Sequence, residues 1–295
     1  MVLLRPTPWL PSVPTAETCA DQLPGQNAPV PPDLRVLGSI ADGLAAAADP
    51  RRAPQMQAYM KSTMPFLGVP VPTVRAVVKA AAREHPPTSV AELAATATSL
   101  WRSATHREHR YAATELTGHR IADDVLALLP LFEEMIVTGA WWDHVDAVAP
   151  RVGRLLLAHP AEVRPLLLTW STAPDRWLRR AGIIAQLGAK ARTDVDLLTT
   201  VIDANSGDPE FFVRKAIGWA LRDYARTDPD WVRQFVATRT DTLSSRSRRE
   251  ATKHLQCRSA VVDTRQSKHE RDEPQDRADG EHAVRPGQER PGSPR

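Results

Sequence analysis

The chain has 295 residues, a formal net charge of +3 and 42% hydrophobic residues, which is enough for one domain with a substantial core. This small net positive charge is compatible with DNA binding through a local basic patch, but it is not evidence for DNA binding. No stretch approaches the roughly 20 apolar residues of a membrane helix, and the start lacks the pattern of a secretory signal, so the expected compartment is the cytoplasm.

The two ends of the chain differ from its middle in composition. Residues 1–37 hold eight of the 26 prolines without a helical or strand period, and residues 257–295 carry almost no large apolar side chain. Such segments are typical of disorder, because they bury too little apolar surface to offset the entropy of ordering. We therefore expect a Pro-rich disordered head at 1–37, a folded domain at 38–256 and a disordered charged tail at 257–295. The two cysteines, Cys19 and Cys257, lie in these ends, so neither a disulfide framework nor a Cys-rich metal site is predicted.

The middle of the chain is helical by pattern. From residue 36 to residue 255, apolar residues recur at i, i+3 and i+4 in segments of roughly 10–18 residues, separated by Gly- or Pro-containing breakers. Ser247 and Glu250 fit a capping box that opens the last helix. The helices fall into loose pairs of roughly 35–40 residues, which favours a HEAT-like α-solenoid of antiparallel helix pairs over an ordinary all-α globule. The concave face of such a stack can hold an extended partner such as duplex DNA.

The most informative segment is residues 141–146, where two tryptophans precede two aspartates. On a helix, Trp142 and Asp146 are four residues apart and share one face. Alone, Trp142 is more often a core residue and Asp146 a cap or a solvated residue, but an aspartate on a buried face needs a partner, so the combination indicates a functional site. The histidines, His144 included, lack metal-ligand spacing and are interpreted as surface residues; no metal or cofactor is expected.

Several segments along the chain carry a family resemblance. They are residues 59–69, 141–146, 177–183, 211–225 and 247–251. In order and spacing, they are together similar to the AlkD-type DNA alkylation repair glycosylases, a HEAT-like family, over roughly residues 38–256. One departure is Pro70, where relatives often carry a polar side chain, so a polar DNA contact from that loop is not expected here.

The resemblance implies a monofunctional DNA glycosylase of base excision repair. Such enzymes hydrolyse the N-glycosidic bond of cationic N3- and N7-alkylated purines, such as 3-methyladenine and 7-methylguanine, in duplex DNA without flipping the base. Small alkyl groups and bulky adducts are both compatible with this activity. Carried onto this chain, the resemblance implies Asp146, Trp142 and Trp219 as catalytic residues and Arg180 on the DNA-contacting face. A monomer is expected, in the cytoplasm and associated with the nucleoid when bound to alkylated double-stranded DNA.

Basic and aromatic side chains of the same segments are candidate DNA contacts. They are Arg180, Arg179, Lys215, Arg214, Arg222, Arg248 and Tyr59. Because a basic residue is also commonly a solvated surface residue, each of these assignments has an alternative. For the whole chain, the alternative is a non-catalytic HEAT-like module that binds DNA or acts as a protein scaffold.

Overall fold

The computed structural model describes residues 30–255, and within that range it contains helices and no strand. The expected all-α fold is confirmed. The α-helices are α1 (Leu34–Ala46), α2 (Ala53–Met60), α3 (Val71–Glu84), α4 (Val90–Arg102), α5 (Arg107–Leu116), α6 (Leu129–Gly139), α7 (Trp142–Ala158), α8 (Pro160–Ser171), α9 (Arg176–Ile184), α10 (Val195–Asp203), α11 (Phe211–Tyr224), α12 (Pro229–Ala237) and α13 (Ser245–Ala251). None of these helices is long and apolar enough to cross a membrane.

Side-chain caps begin many of these helices where the sequence predicts breaks. Asp175 accepts hydrogen bonds from the backbone N–H groups of Trp177 and Leu178 at the start of α9. Asp228 accepts one from Trp231 at the start of α12, which has Pro229 as its first residue. Each cap satisfies donors that have no partner within the helix, and a proline at the first position loses no helical hydrogen bond.

Two boundaries differ from the sequence prediction. Helix α1 begins at Leu34 with Asp33 as its N-cap, so the helical region starts before the boundary expected at residue 38. The last helix begins at Ser245, and the side chain that caps it is Ser244; the capping box predicted at Ser247 is wrong. Ser247 lies inside α13 and donates its hydroxyl to the Arg214 carbonyl instead. Residues 1–29 of the predicted head and the whole of the predicted tail lie outside the described residues.

The described part of the chain divides into two compact units, and the division lies between Asn205 and Ser206. In the first unit, α1, α3, α5, α7 and α9 pack successively on one another, and α4, α6 and α8 pack on α5, α7 and α9. This alternation is the packing order of a stack of helix pairs, as predicted for an α-solenoid. In the second unit, α11 packs on α13 and α12 contacts both.

Helix α7 approaches the C-cap of α9 closely at Gly153. A Cβ atom at this position would lie 1.9 Å from the backbone oxygen of Ala185, the C-cap of α9. Only glycine permits such contact, because the obstructing atom belongs to a backbone and cannot rotate away. The same helix contains Pro150, which has no N–H to donate to the carbonyl of Asp146 four residues earlier. These two residues therefore shape the helix that carries the Trp142–Asp146 pair.

We predict that Gly153→Ala destabilises the fold, since α7 and α9 must move apart to admit the methyl group. Overpacking of this kind costs about 1–3 kcal/mol, and urea unfolding followed by circular dichroism measures it. Gly38→Ala is the matched control, because a Cβ at Gly38, also within a helix of the first unit, meets no atom within 4 Å. Equal stability of Gly153→Ala and the wild type would contradict the packing argument.

Candidate functional site

Trp142 and Asp146 line one cavity, as their spacing on α7 predicts. The cavity has a volume of about 400 Å³ and lies in the first unit. Its other walls are mainly apolar: Met60 and Tyr59 come from α2, and Phe66 comes from the segment that follows. An aromatic surface and a carboxylate thus share an open, largely apolar space, which is a typical setting for a ligand with a cationic or polar group.

Asp146 is held by a buried arginine. Nε and Nη2 of Arg180 each donate a hydrogen bond of 2.8 Å to one carboxylate oxygen, in the bidentate geometry that suits these two groups. The Arg180 side chain is 2% exposed, whereas that of Asp146 is 17% exposed. The guanidinium therefore lies beneath the carboxylate, and the carboxylate forms part of the cavity surface. The expected contact of Arg180 with DNA stays a prediction.

A second buried ion pair supports the start of α7. Arg107 of α5 donates to both oxygens of Asp143, at 3.1 and 2.5 Å, and the Tyr111 hydroxyl donates to the same carboxylate at 2.6 Å. Burial raises the pKa of Asp143, but attraction to neighbouring positive charge and these hydrogen bonds outweigh it, so the pKa is lowered. Asp143 is thus an ionised anchor for the first turn of α7, next to Trp142.

Another wall of the cavity, which contains Phe66, is anchored by Glu108, the residue that follows Arg107 on α5. The fully buried carboxylate of Glu108 accepts hydrogen bonds from the backbone N–H groups of Leu67, Gly68 and Val69, at 2.9, 2.9 and 3.0 Å. This segment leads from Phe66 into α3. The first turn of α5 therefore fixes both the α7 wall and the wall that contains Phe66. The sequence reasoning missed Arg107 and Glu108, because charged residues in a helix give no signal of burial.

His144 is fully buried, so the interpretation of this residue as a surface histidine is wrong. Its ring packs edge-on against Trp101, with ring centroids 5.0 Å apart, and also against Tyr111. Neither ring nitrogen has a hydrogen-bond partner. Burial, the largest effect, lowers the pKa of His144 to about 3, so the imidazole is neutral at physiological pH and acts as an aromatic packing residue.

The remaining predicted site residues of the first unit lie at or near the surface. Tyr59 is 76% exposed and lines the same cavity as Asp146. Arg179 is half-buried, and its Nη1 donates to the carbonyls of Ala173 and Pro174, at 2.8 Å each, in the turn before α9. Tyr59 is therefore brought together with the Trp142–Asp146 pair, whereas Arg179 stabilises the turn that precedes the Arg180 helix.

The other predicted residues belong to the second unit. Trp219 is half-buried on α11, which also carries an exposed Lys215 and a half-buried Arg214. Arg222 forms an ion pair with Glu250 of α13, and Arg248 is half-buried on α13. Their proposed roles in catalysis or DNA contact stay predictions.

Among residues 30–255, no group of three or more His, Cys, Asp and Glu side chains is arranged to hold a metal ion. The carboxylates of Asp143 and Asp146, which line the cavity, each pair with an arginine.

The fold and the site together define an all-α protein of stacked helix pairs with an indole and an arginine-bound carboxylate in one cavity. A model of the family described as DNA alkylation repair enzymes matches residues 40–255. The chain belongs to this family, and its role is therefore in the repair of alkylated DNA. It is similar to the solved structure of a predicted DNA alkylation repair enzyme from Enterococcus faecalis, with 32% identity and a TM-score of 0.63, over 70% of this chain and 96% of that one. No curated protein matches the chain.

The buried His144 gives the fold a specific acid sensitivity. The unfolded chain binds a proton at this residue near pH 6.5, whereas the folded protein does so only near a pKa of about 3. The unfolded state therefore holds more protons between these values, so stability falls as the pH is lowered through this window. We expect His144→Leu to remove this contribution, which amounts to about 2 kcal/mol between pH 7.5 and 5.0.

Urea unfolding of both proteins at the two pH values measures the difference. His254→Leu is the control, because His254 is exposed, and this variant should keep the wild-type pH dependence. An identical loss of stability in wild type and His144→Leu would show that His144 does not cause the acid sensitivity.

Proposed function

We propose that the protein is a monofunctional DNA glycosylase that hydrolyses the N-glycosidic bond of cationic N3- and N7-alkylated purines in duplex DNA. The observation that carries this proposal is the cavity in which the Asp146 carboxylate, fixed by Arg180, lies on the same helix face as Trp142. Membership of the DNA alkylation repair family supports the general role. The geometry supports this particular chemistry.

The chemistry needs stabilisation of positive charge more than it needs an acid. An N3- or N7-alkylated purine already carries a positive charge and leaves as a neutral base, so its departure requires no strong proton donor. The costly species is the oxocarbenium-like sugar that remains. A carboxylate near C1′ stabilises that charge and can orient or deprotonate the attacking water. Asp146 has the charge, the partial exposure and the position for both tasks.

The aromatic walls suit a cationic lesion. An indole face attracts a cation within about 6 Å by roughly 0.5–2 kcal/mol, and Trp142 contributes such a ring to the cavity. The exposed Tyr59 offers a second aromatic surface at the same place. We further propose that Trp219, on the second unit, acts in catalysis through its aromatic face. Selectivity then follows from bond lability, because a neutral base leaves too slowly for this mild assistance.

In this mechanism, Arg180 is a positioning residue. Its bidentate pair with Asp146 fixes the carboxylate plane before DNA binds, so that little reorganisation is needed during the reaction. Because the Arg180 side chain is buried, this support accounts for the residue better than a direct phosphate contact. The other candidate phosphate contacts, including Lys215 and Arg248, remain proposals for the second unit.

The decisive test is Asp146→Asn. We expect release of 3-methyladenine and 7-methylguanine from methylated duplex DNA to fall by at least about 100-fold, because the amide cannot stabilise the cationic sugar. Binding to the same duplex should change little. Single-turnover excision measured by chromatography of the released base, together with fluorescence anisotropy, separates the two effects.

The matched control for this test is Asp230→Asn, which removes a carboxylate that pairs with Arg233 on α12. This variant should excise at the wild-type rate. A thermal melt of Asp146→Asn must show a cooperative transition, since the substitution weakens the partner of a buried arginine. If wild-type protein binds methylated duplex but releases neither base, the chain is a non-catalytic DNA-binding module and the proposal fails.

A second prediction concerns Trp142. We expect single-turnover rates to fall in the order wild type, Trp142→Phe, Trp142→Ala, because the face of phenylalanine attracts a cation less strongly than that of tryptophan and alanine removes the aromatic face. The alanine variant should lose roughly 2- to 30-fold, which corresponds to the free energy of one cation–π contact. Trp231→Phe, in which Trp231 packs between Tyr224 and Phe235, controls for a general effect of replacing an indole. Equal rates for Trp142→Ala and wild type would contradict the assigned role.

A further inference from the structure

Two further cavities of the first unit form a basic groove next to the Trp142–Asp146 cavity. Their volumes are about 480 and 520 Å³, and both are lined by Glu115 and Gly118. The Trp142–Asp146 cavity is also lined by Glu115, and it shares Arg75 with the larger of the two. The cationic side chains that line the basic groove include Arg75, Lys79, Arg83, Arg120, Arg151 and Arg154. The sequence did not indicate these residues, because they come from α3, from the segment after α5 and from α7.

Glu115 is a negatively charged residue in the otherwise basic groove. Of the described residues that line its two cavities, it is the only carboxylate. One carboxylate oxygen of Glu115 accepts a hydrogen bond of 3.0 Å from Nε of Arg75, and the other lies 3.9 Å from Nη2 of Arg151. Glu115 therefore lies between two arginines, at the point where the basic groove meets the Trp142–Asp146 cavity.

Neither of these two ion pairs is strong. The Arg75 side chain is 61% exposed, and an exposed pair of this kind contributes little free energy. The distance of 3.9 Å from Glu115 to Arg151 exceeds that of a hydrogen bond. Burial, the largest effect, lowers the pKa of Arg151, which indicates that its charge is incompletely balanced.

The orientation of Arg151 is nevertheless fixed. Its Nη1 donates a hydrogen bond to the carbonyl of Ala147 on the same helix. A Cβ atom at Gly118 would lie 3.2 Å from Nη2, so the glycine leaves space beside that nitrogen. An anion that enters the groove would thus meet a guanidinium already held in place, and a phosphate matches the guanidinium at least as well as a carboxylate does.

We propose that Arg75 and Arg151 bind a backbone phosphate of duplex DNA, and that Glu115 occupies both arginines in the free protein and competes with that phosphate. This inference rests on the proposed function for its partner, duplex DNA. Its consequence is specificity: the competing carboxylate weakens binding to any duplex, so undamaged DNA is released unless a lesion adds its own interactions in the neighbouring cavity. Glu115 is accordingly a residue that determines specificity, not a catalytic one.

The test is binding of the full chain to an undamaged duplex, measured by fluorescence anisotropy between 50 and 200 mM KCl. Glu115→Gln should bind roughly threefold to tenfold more tightly than wild type at the lowest salt. The slope of log K against log salt should steepen by about one, as for one added phosphate contact. Glu134→Gln is the matched control, because Glu134 also pairs with an exposed arginine, Arg102, and is similarly exposed, but lies outside the basic groove. This control should bind as wild type does.

A second set of variants distinguishes competition from a simple change in net charge. In an Arg75→Gln/Arg151→Gln background, adding Glu115→Gln should give no gain in affinity. Arg75→Gln alone should bind more weakly than wild type, because it removes a positive charge from the basic groove and one of the two partners of Glu115. This single variant also tests the inference if Glu115→Gln does not fold.

Three results would overturn the inference: unchanged or weaker binding by folded Glu115→Gln, an equal gain in Glu134→Gln, or unchanged binding by Arg75→Gln. The duplex in this assay contains no base to excise. The outcome of this binding assay is therefore independent of the glycosylase activity, which is measured on methylated DNA.

Discussion

The bidentate pair between Asp146 and Arg180 is the interaction on which the site depends. An ionised carboxylate in a largely apolar cavity is unfavourable unless a positive group compensates it. Arg180 supplies that charge from the buried side, where its own guanidinium is excluded from solvent. The arrangement places the carboxylate on the surface of the cavity while its orientation is fixed. The site thus combines a partly exposed Asp146 with a buried Arg180.

Asp143 and Asp146 lie three residues apart on α7, but their side chains have different hydrogen-bond partners. Asp143 accepts three hydrogen bonds from Arg107 and Tyr111, and these occupy both of its oxygens. Asp146 accepts two hydrogen bonds from Arg180, one at each oxygen, and both aspartates line the cavity. The two aspartates therefore differ in their partners, which come from α5 for Asp143 and from α9 for Asp146. In the proposed mechanism, Asp143 is the anchor and Asp146 is the reactive group.

Much of this organisation could be predicted from the sequence, because helices are encoded locally. The apolar period and the breakers lie within a few residues of the elements that they define, and the i, i+4 spacing of Trp142 and Asp146 was sufficient to place both on one face. The burial of Arg180 and His144 was not predictable in this way. Each depends on helices packed from 30 or more residues away, and neither residue type signals burial. The same limit explains why Glu115 and its two arginines became visible only in the structure.

The close contact at Gly153 has a consequence for how this family can vary in length. Because the backbones of α7 and α9 meet there, the position of α7 along its own axis is fixed at that point, about two turns beyond Asp146. One inserted or deleted residue between the two positions would rotate the carboxylate by about 100° around the helix axis and separate it from Arg180. Evolutionary insertions and deletions should therefore collect in the connecting segments, whereas the spacing from the indole to this glycine should be constant among homologues that retain the site.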